Sequence, residues 1–339
     1  MKKSDYSRIA VESDQKIARV LAKNNIDPAK PISQTKQIQS GFRKQAVGLK
    51  KEFDLPSSAS IDAVKTALIN DVDFSPAKIV SIKKTKTSKE NILTLDLDYQ
   101  HLKVYSLILK QKPFKGKIAI VLDDWGYNQS MLEPALSLKT PITYALLPNL
   151  PYSRKIAQAL DANGDEIILH LPLEPHNAAK HPLEKNTILT TMSKQEVIDI
   201  TLNDLNSLPN LRGINNHMGS KATEDENVME IIFDIIKSKN LYFLDSYTSN
   251  QSALAKVAVL KNVVFFKRDV FLDDKNDKES IKQQLIKTTD LAQQTGMAIA
   301  IGHAKSLTIE TLAEMIPLLE KQGYEFVYLS QLISKQETE

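Results

Sequence analysis

The 339-residue chain contains no cysteine. That excludes disulfides, thiol nucleophiles and every zinc site built on thiolates. It is compatible with an oxidising compartment without requiring one. No run of about eighteen apolar residues occurs, so no transmembrane helix is encoded. The opening MKKSDYSRIAVESDQ has a basic start and no apolar core behind it, so it does not read as a signal peptide. Any export signal would then have been removed or would lie outside this chain. There is no G-x-G-x-x-G after a first strand and no P-loop, which argues against a nucleotide site. Basic residues interleaved with aromatics are also missing, so nucleic acid is not an expected partner.

What is present is ordinary for a globular protein: 42% hydrophobic and 25% charged residues, with a net charge of +3. The charge is uneven. Residues 1–115 hold 22 basic and 12 acidic side chains, a balance of +10, and the remainder 22 and 29, a balance of −7. The basic front could favour an anionic envelope surface, or it could be a solvated face complementing an acidic domain.

Residues 1–112 read as a small α+β domain. Helical spacing runs over Asp14–Asn24 and over 61–72 behind Ser60 as N-cap, and a three-stranded meander over 79–84, 92–99 and 102–110. Residues 26–40 read as a linker, and KQKPFKG at 110–116 as the boundary. From 113 to 335 the pattern is strict alternation. Strand-like runs at 117–122, 142–147, 166–171, 211–215, 241–244, 263–267, 297–301 and 325–329 are mostly separated by helical stretches. Ser193-x-x-Glu196 and Thr223-x-x-Glu226 read as capping boxes, and Gly296 and Gly323 as C-terminal glycines. Repetition of this kind means an α/β fold on a parallel sheet, and seven or eight strands without a nucleotide fingerprint favour a (β/α) barrel.

In such folds the chemistry sits at the carboxyl ends of the strands. Six strands end there in polar or ionisable groups: Asp123-Asp124, His170 with Glu174 beyond it, Asn215-Asn216-His217, Asp245-Ser246, Arg268-Asp269 and His303. Each has a bland reading. A strand-end His is often structural, a terminal Asp often caps the next helix, and Arg268-Asp269 could be a plain ion pair. The coincidence on one rim is the signal. One Asp with two His suits a catalytic zinc or similar divalent ion with an open position. A second carboxylate can take a proton from water, and a His across the pocket can protonate a leaving group. His101, His176 and His181 have no strand-end placement and read as solvated or structural, with His176, six residues from His170, an outside candidate.

The ordered motifs IVLDDWG, EIILHLPLEP, GINNHMGS, FLDSYTS, KRDVFLDD and AIGHA resemble the divergent polysaccharide deacetylase family, a branch of the carbohydrate-esterase superfamily. The resemblance spans roughly residues 117–333. It implies a distorted (β/α) barrel and water attack on an acetamide of an N-acetylated polysaccharide, in the periplasm, cell envelope or outside the cell. It implies Asp123 as general base, Asp124 as metal ligand and His303 as general acid. The family's H-x-x-x-H pair is matched by His170 but has Glu174 in place of the second His, so His217 is expected to supply the missing ligand to Zn2+. The usual arginine of the third motif is absent, leaving Arg268 or the asparagines Asn215 and Asn216 to orient the base. Asp245 and Asp269 are expected nearby, in substrate contact or supporting positions. Two other readings stay open: a catalytically silent barrel that binds glycan or an envelope protein, and glycoside cleavage by a pair such as Asp123 and Asp245.

Overall fold

The computed structural model describes residues 3–24, 26–41, 44–56, 59–87, 90–180 and 182–333. His181 lies outside them. The chain forms two compact units, one of residues 1–114 with 321–323 and one of 115–320 with 324–339.

In the first unit, helix α1 (Lys3–Lys23) precedes strands β1 (Ser33–Gly41) and β2 (Lys44–Leu55). Helix α2 (Ile61–Asn70) and strands β3 (Lys78–Lys86), β4 (Asn91–Tyr99) and β5 (Leu102–Gln111) follow. The sheet order is β1-β2-β5-β4-β3, antiparallel except where β2 runs parallel to β5. The helices form because their apolar residues recur every three or four positions. Ile17, Val20 and Leu21 of α1 and Ile61, Val64 and Leu68 of α2 are buried against Phe53, Leu95, Leu107 and Leu109 of the sheet. Ser60 caps α2 by accepting from Ala63 N. Asp14 pins α1 to the sheet, accepting from Tyr105 Oη at 2.7 Å and pairing with Lys51 at 2.8 Å.

The linker expected over 26–40 is a correction: β1 begins at Ser33. Its sequence SQTKQIQSG holds one large apolar residue, Ile38, which is exposed. Backbone pairing to β2, not burial, makes this strand, and hydrophobic alternation cannot reveal it.

The second unit alternates strand and helix. In order it runs β6 (Gly116–Trp125), α3 (Leu132–Leu136), β7 (Thr143–Leu146), α4 (Ser153–Asn163), β8 (Glu166–Leu173) and α5 (Lys194–Ser207). Then come β9 (Gly213–Met218), α6 (Glu226–Ser238), β10 (Tyr242–Asp245), α7 (Leu254–Lys261), β11 (Phe265–Lys267) and β12 (Val270–Phe271). It closes with α8 (Lys278–Thr295), β13 (Met297–His303), α9 (Ser306–Gln322) and β14 (Tyr324–Phe326). The strands are parallel in the order β11-β10-β9-β8-β7-β6-β13-β12, with β14 on the start of β6. This is the expected distorted barrel, curled but not closed: among the described residues β11 and β12 do not pair with each other. Ser193 forms the expected capping box of α5. The box at Thr223 does not form. A 3-10 turn over Ala222–Glu224 moves the helix start, Asp225 caps α6, and the Thr223 hydroxyl donates to Gly219 O instead.

Side-chain parity fixes what reaches the site. On β6, Ile118, Ile120 and Leu122 pack under the helices, while Ala119 and Val121 point into the curl with Ala145, Ile168, Leu244, Ile299 and Ile301. Continuing each strand by twos carries Asp123, His170 and His303 to the inner rim. On β9, Ile214 packs under the helices, so Asn215 and His217 turn inward. Asp124 should face outward. It does not, because β6 bulges: Leu122 pairs with Tyr144 but Trp125 pairs with Leu146, leaving one extra residue. Asp124 takes a left-handed φ of 65° inside that bulge. A bulge re-aims a side chain in this way.

Candidate metal centre and catalytic rim

Asp124, His170 and His217 bring one ligand atom each to within 4.8 Å of one another. His170 Nε2 lies 3.2 Å and His217 Nδ1 3.1 Å from Asp124 Oδ1, and the two imidazole nitrogens are 3.1 Å apart. Two ring nitrogens at that separation repel unless a proton or a cation sits between them. The charges at the site are strongly coupled as well. Burial works against a charge on His170, but Asp123 and Asp124 outweigh it and push its pKa up to about 9. Burial also opposes ionisation of Asp124, yet the two histidines hold it well below the carboxylate range. One carboxylate and two imidazoles, with the third side open to the rim, fit a divalent ion.

Asn215 organises the floor. Its Nδ2 donates to Asp123 Oδ1 at 2.9 Å and to Ser246 Oγ at 3.2 Å, and its Oδ1 lies 2.8 Å from His170 Nδ1. Because the amide nitrogen serves Asp123, the oxygen must accept from His170 Nδ1–H, which aims Nε2 at the cluster. Asp123 itself is buried, its Oδ2 3.8 Å from His170 Nε2. Burial pushes its carboxyl up.

His303 faces the cluster from β13, its Nε2 3.7 Å from Asp124 Oδ2. Its other nitrogen, Nδ1, donates to Asp273 Oδ1 at 2.8 Å, and its backbone N–H donates to Asp273 Oδ2. Thr308 Oγ1 donates to the same oxygen at 2.7 Å. Burial opposes charge on His303, but Asp273 raises its pKa. Sequence reasoning missed Asp273 and Thr308. The signal for Asp273 was available as parity: Val270 and Leu272 pack under the helices, so Phe271 and Asp273 point inward.

The remaining expected residues serve the walls. Glu174 does not join the three ligand atoms. Its carboxylate accepts from Thr190 N and Oγ1 and pairs with Lys221 at 2.8 Å, tying the loop after β8. Asn216 turns outward and holds the ends of β9 and β10, accepting from Ser246 N and donating to Met218 O. Asp245 also lies on the helix side, its oxygens occupied by Tyr247 N and Ser252 Oγ. That parity removes the facing geometry a carboxylate pair with Asp123 needs. Asp269 accepts from Ile299 N, fixing the approach to β12, rather than pairing with Arg268. Arg268 reaches inward, with Nε donating to Ser246 O at 2.8 Å. His176 is exposed, with Nε2 2.9 Å from Glu224 Oε2. His101 is exposed in the turn between β4 and β5.

Comparison with known proteins gives the family. The family model described as divergent polysaccharide deacetylase matches residues 120–333. The chain belongs to that family. It is 38% identical over 210 residues to uncharacterized protein YibQ of Escherichia coli (strain K12), a match covering 62% of this chain and 65% of that protein. An uncharacterized protein of Haemophilus influenzae is 34% identical over 198 residues, 58% of this chain and 70% of that one. The crystal structure of uncharacterized protein ATU2773 from Agrobacterium tumefaciens C58 shares the fold. Its TM-score is 0.62 at 24% identity, over 65% of this chain and 90% of that one. Among the described residues, no helix is long and apolar enough to cross a membrane.

Proposed function

We propose that this divergent deacetylase is a metal-dependent hydrolase that removes N-acetyl groups from a polysaccharide. The observation that carries the reading is the convergence of Asp124, His170 and His217, with Asp123 on one side and His303 on the other. These three side chains would hold the ion, zinc by the chemistry of a carboxylate and two imidazoles. When bound, such an ion supplies Lewis acidity that polarises an acetamide carbonyl and makes a water acidic near neutral pH.

This chain's residues do the rest. Asn215 holds one oxygen of Asp123, leaving the other to take a proton from the attacking water. Burial makes that carboxylate a stronger base than a solvated one. His303, held through Nδ1 by Asp273, carries a proton on Nε2 for the departing nitrogen. Water's oxygen joins the acyl carbon, the C–N bond breaks, and acetate and a free amine leave. Each such proton transfer contributes typically about 10²–10⁴-fold.

The same proposal includes an envelope or extracellular polysaccharide as substrate, a site of action outside the cytoplasm, and the N-terminal α+β unit as a separate domain with a basic face toward anionic envelope polymer. Acetate release from N-acetylglucosamine oligomers and from peptidoglycan tests the activity. Turnover abolished in Asp123→Asn supports it. Glycan binding without turnover, unchanged in Asp123→Asn, would leave a silent binding module instead.

A further inference from the structure

The strap that joins β11 to β12 crosses the opening of the curl, and Arg268 is its inward residue. The guanidinium is fixed from two directions. Nε donates to Ser246 O at 2.8 Å and an Nη to Tyr247 O at 3.2 Å, both at the end of β10. The group also stacks on Phe271, 4.8 Å from the ring centroid, and Phe271 meets His303 edge-on at 5.3 Å. Arg268 is therefore held at the mouth on the side of the proposed acid.

Its bonded partners are neutral carbonyls. Among the described residues no carboxylate lies within 4 Å of it, and Asp123, Asp245 and Asp274 act on it only through space. Burial disfavours its charge, so a half-buried cation without a direct counter-ion carries a cost. A planar fork with free N–H groups matches a carboxylate through two hydrogen bonds. Lys267, the last residue of β11, is exposed and 3.5 Å from the Tyr247 ring centroid, a second cation beside the strap.

We propose that Arg268 recognises a carboxylate on the substrate, so that the preferred substrate is an acidic N-acetyl sugar. This rests on the deacetylase reading of the same site. The carboxylate could sit on a lactyl ether or on the sugar's own C6, and the fork reads the same chemistry in either.

Three probes separate the cases by binding titration on the full-length protein: N-acetylglucosamine, N-acetylmuramic acid and N-acetylglucosaminuronic acid. At least one acidic sugar should bind about 10-fold or more tighter than the neutral one, as a charge-assisted pair implies. Which one wins locates the carboxylate. In Arg268→Gln the ratio should fall toward one, and in Arg268→Lys part of it should return. Equal affinity for all three in the wild type, or no saturable binding of either acidic sugar, overturns the proposal. So does a ratio preserved in Arg268→Gln, or a uniform loss there for all three sugars, which would assign Arg268 to supporting Asp123. Selective binding without acetate release would keep this inference and remove the deacetylase reading. Acetate release without charge selectivity would do the reverse.

Discussion

The Asn215 amide donates to Asp123 at 2.9 Å while its oxygen meets His170 Nδ1 at 2.8 Å, so one neutral side chain sets both the proposed base and a proposed ligand. Asn215→Ala should free the His170 ring and leave Asp123 with a buried, unmatched oxygen. Partners of this kind are worth about 10–100-fold in metal affinity or activity. Competition with a metal-binding dye reads the first, and an affinity within twofold of the wild type would remove Asn215 from the site.

The bulge that turns Asp124 inward leads into Gly126, at φ 132°. A Cβ there would sit 2.4 Å from Ser153 Oγ, and the hydroxyl cannot yield freely because it donates to Leu147 O. Gly126→Ala should therefore cost on the order of 1–3 kcal/mol through backbone strain and the clash. Thermal unfolding should register a drop of several degrees. An unchanged midpoint would mean that the turn is softer than its packing implies.

Asp273 predicts an acid-side loss of stability. Burial raises its pKa, but His303 and Thr308 outweigh burial and leave it at about 2. That is below the unfolded value near 3.9. The stabilisation is thus fully present above about pH 4 and is lost as pH falls toward 2. Its size is on the order of 2–3 kcal/mol. Asp273→Asn should flatten stability across that window, measured by denaturant unfolding at stepped pH.

Asp204, on α5, has the opposite sign. It is fully buried, with Oδ1 accepting from Asn149 at 2.8 Å and Asn186 also favouring its charged form. Burial pushes its pKa up to about 7. A folded value above the unfolded one means that the folded state binds the extra proton, so stability falls as pH rises from about 4 to 7. Asp204→Asn should abolish that fall. Parallel pH curves for variant and wild type would contradict it.

Much of this was legible in the residues, and the exceptions have physical causes. Buried parallel strands such as IAIVL are apolar on both faces, so their positions and their polar ends stand out. Rim placement alone brought an aspartate and two histidines together, and the family resemblance named them as Asp124, His170 and His217. Strand parity would have added Asp273 and turned Asp245 away. The route by which Asp124 reaches the rim was not legible: it depends on a bulge, and no side chain announces that backbone choice. β1 was hidden because backbone hydrogen bonds, not burial, hold it. Glu174, expected in a substrate-contact or supporting position, ties the loop after β8 instead, because its sequence offset from His170 says nothing of Thr190 and Lys221, which claim its carboxylate.

Asp124, His170 and His217 are proposed to hold one divalent ion. Titrating chelator-stripped protein with Zn2+ in a calorimeter tests it most directly. One site per chain is expected, weakened about 100-fold or more in Asp124→Ala and in His217→Ala. No saturable binding, or a site that His217→Ala leaves intact, would contradict it.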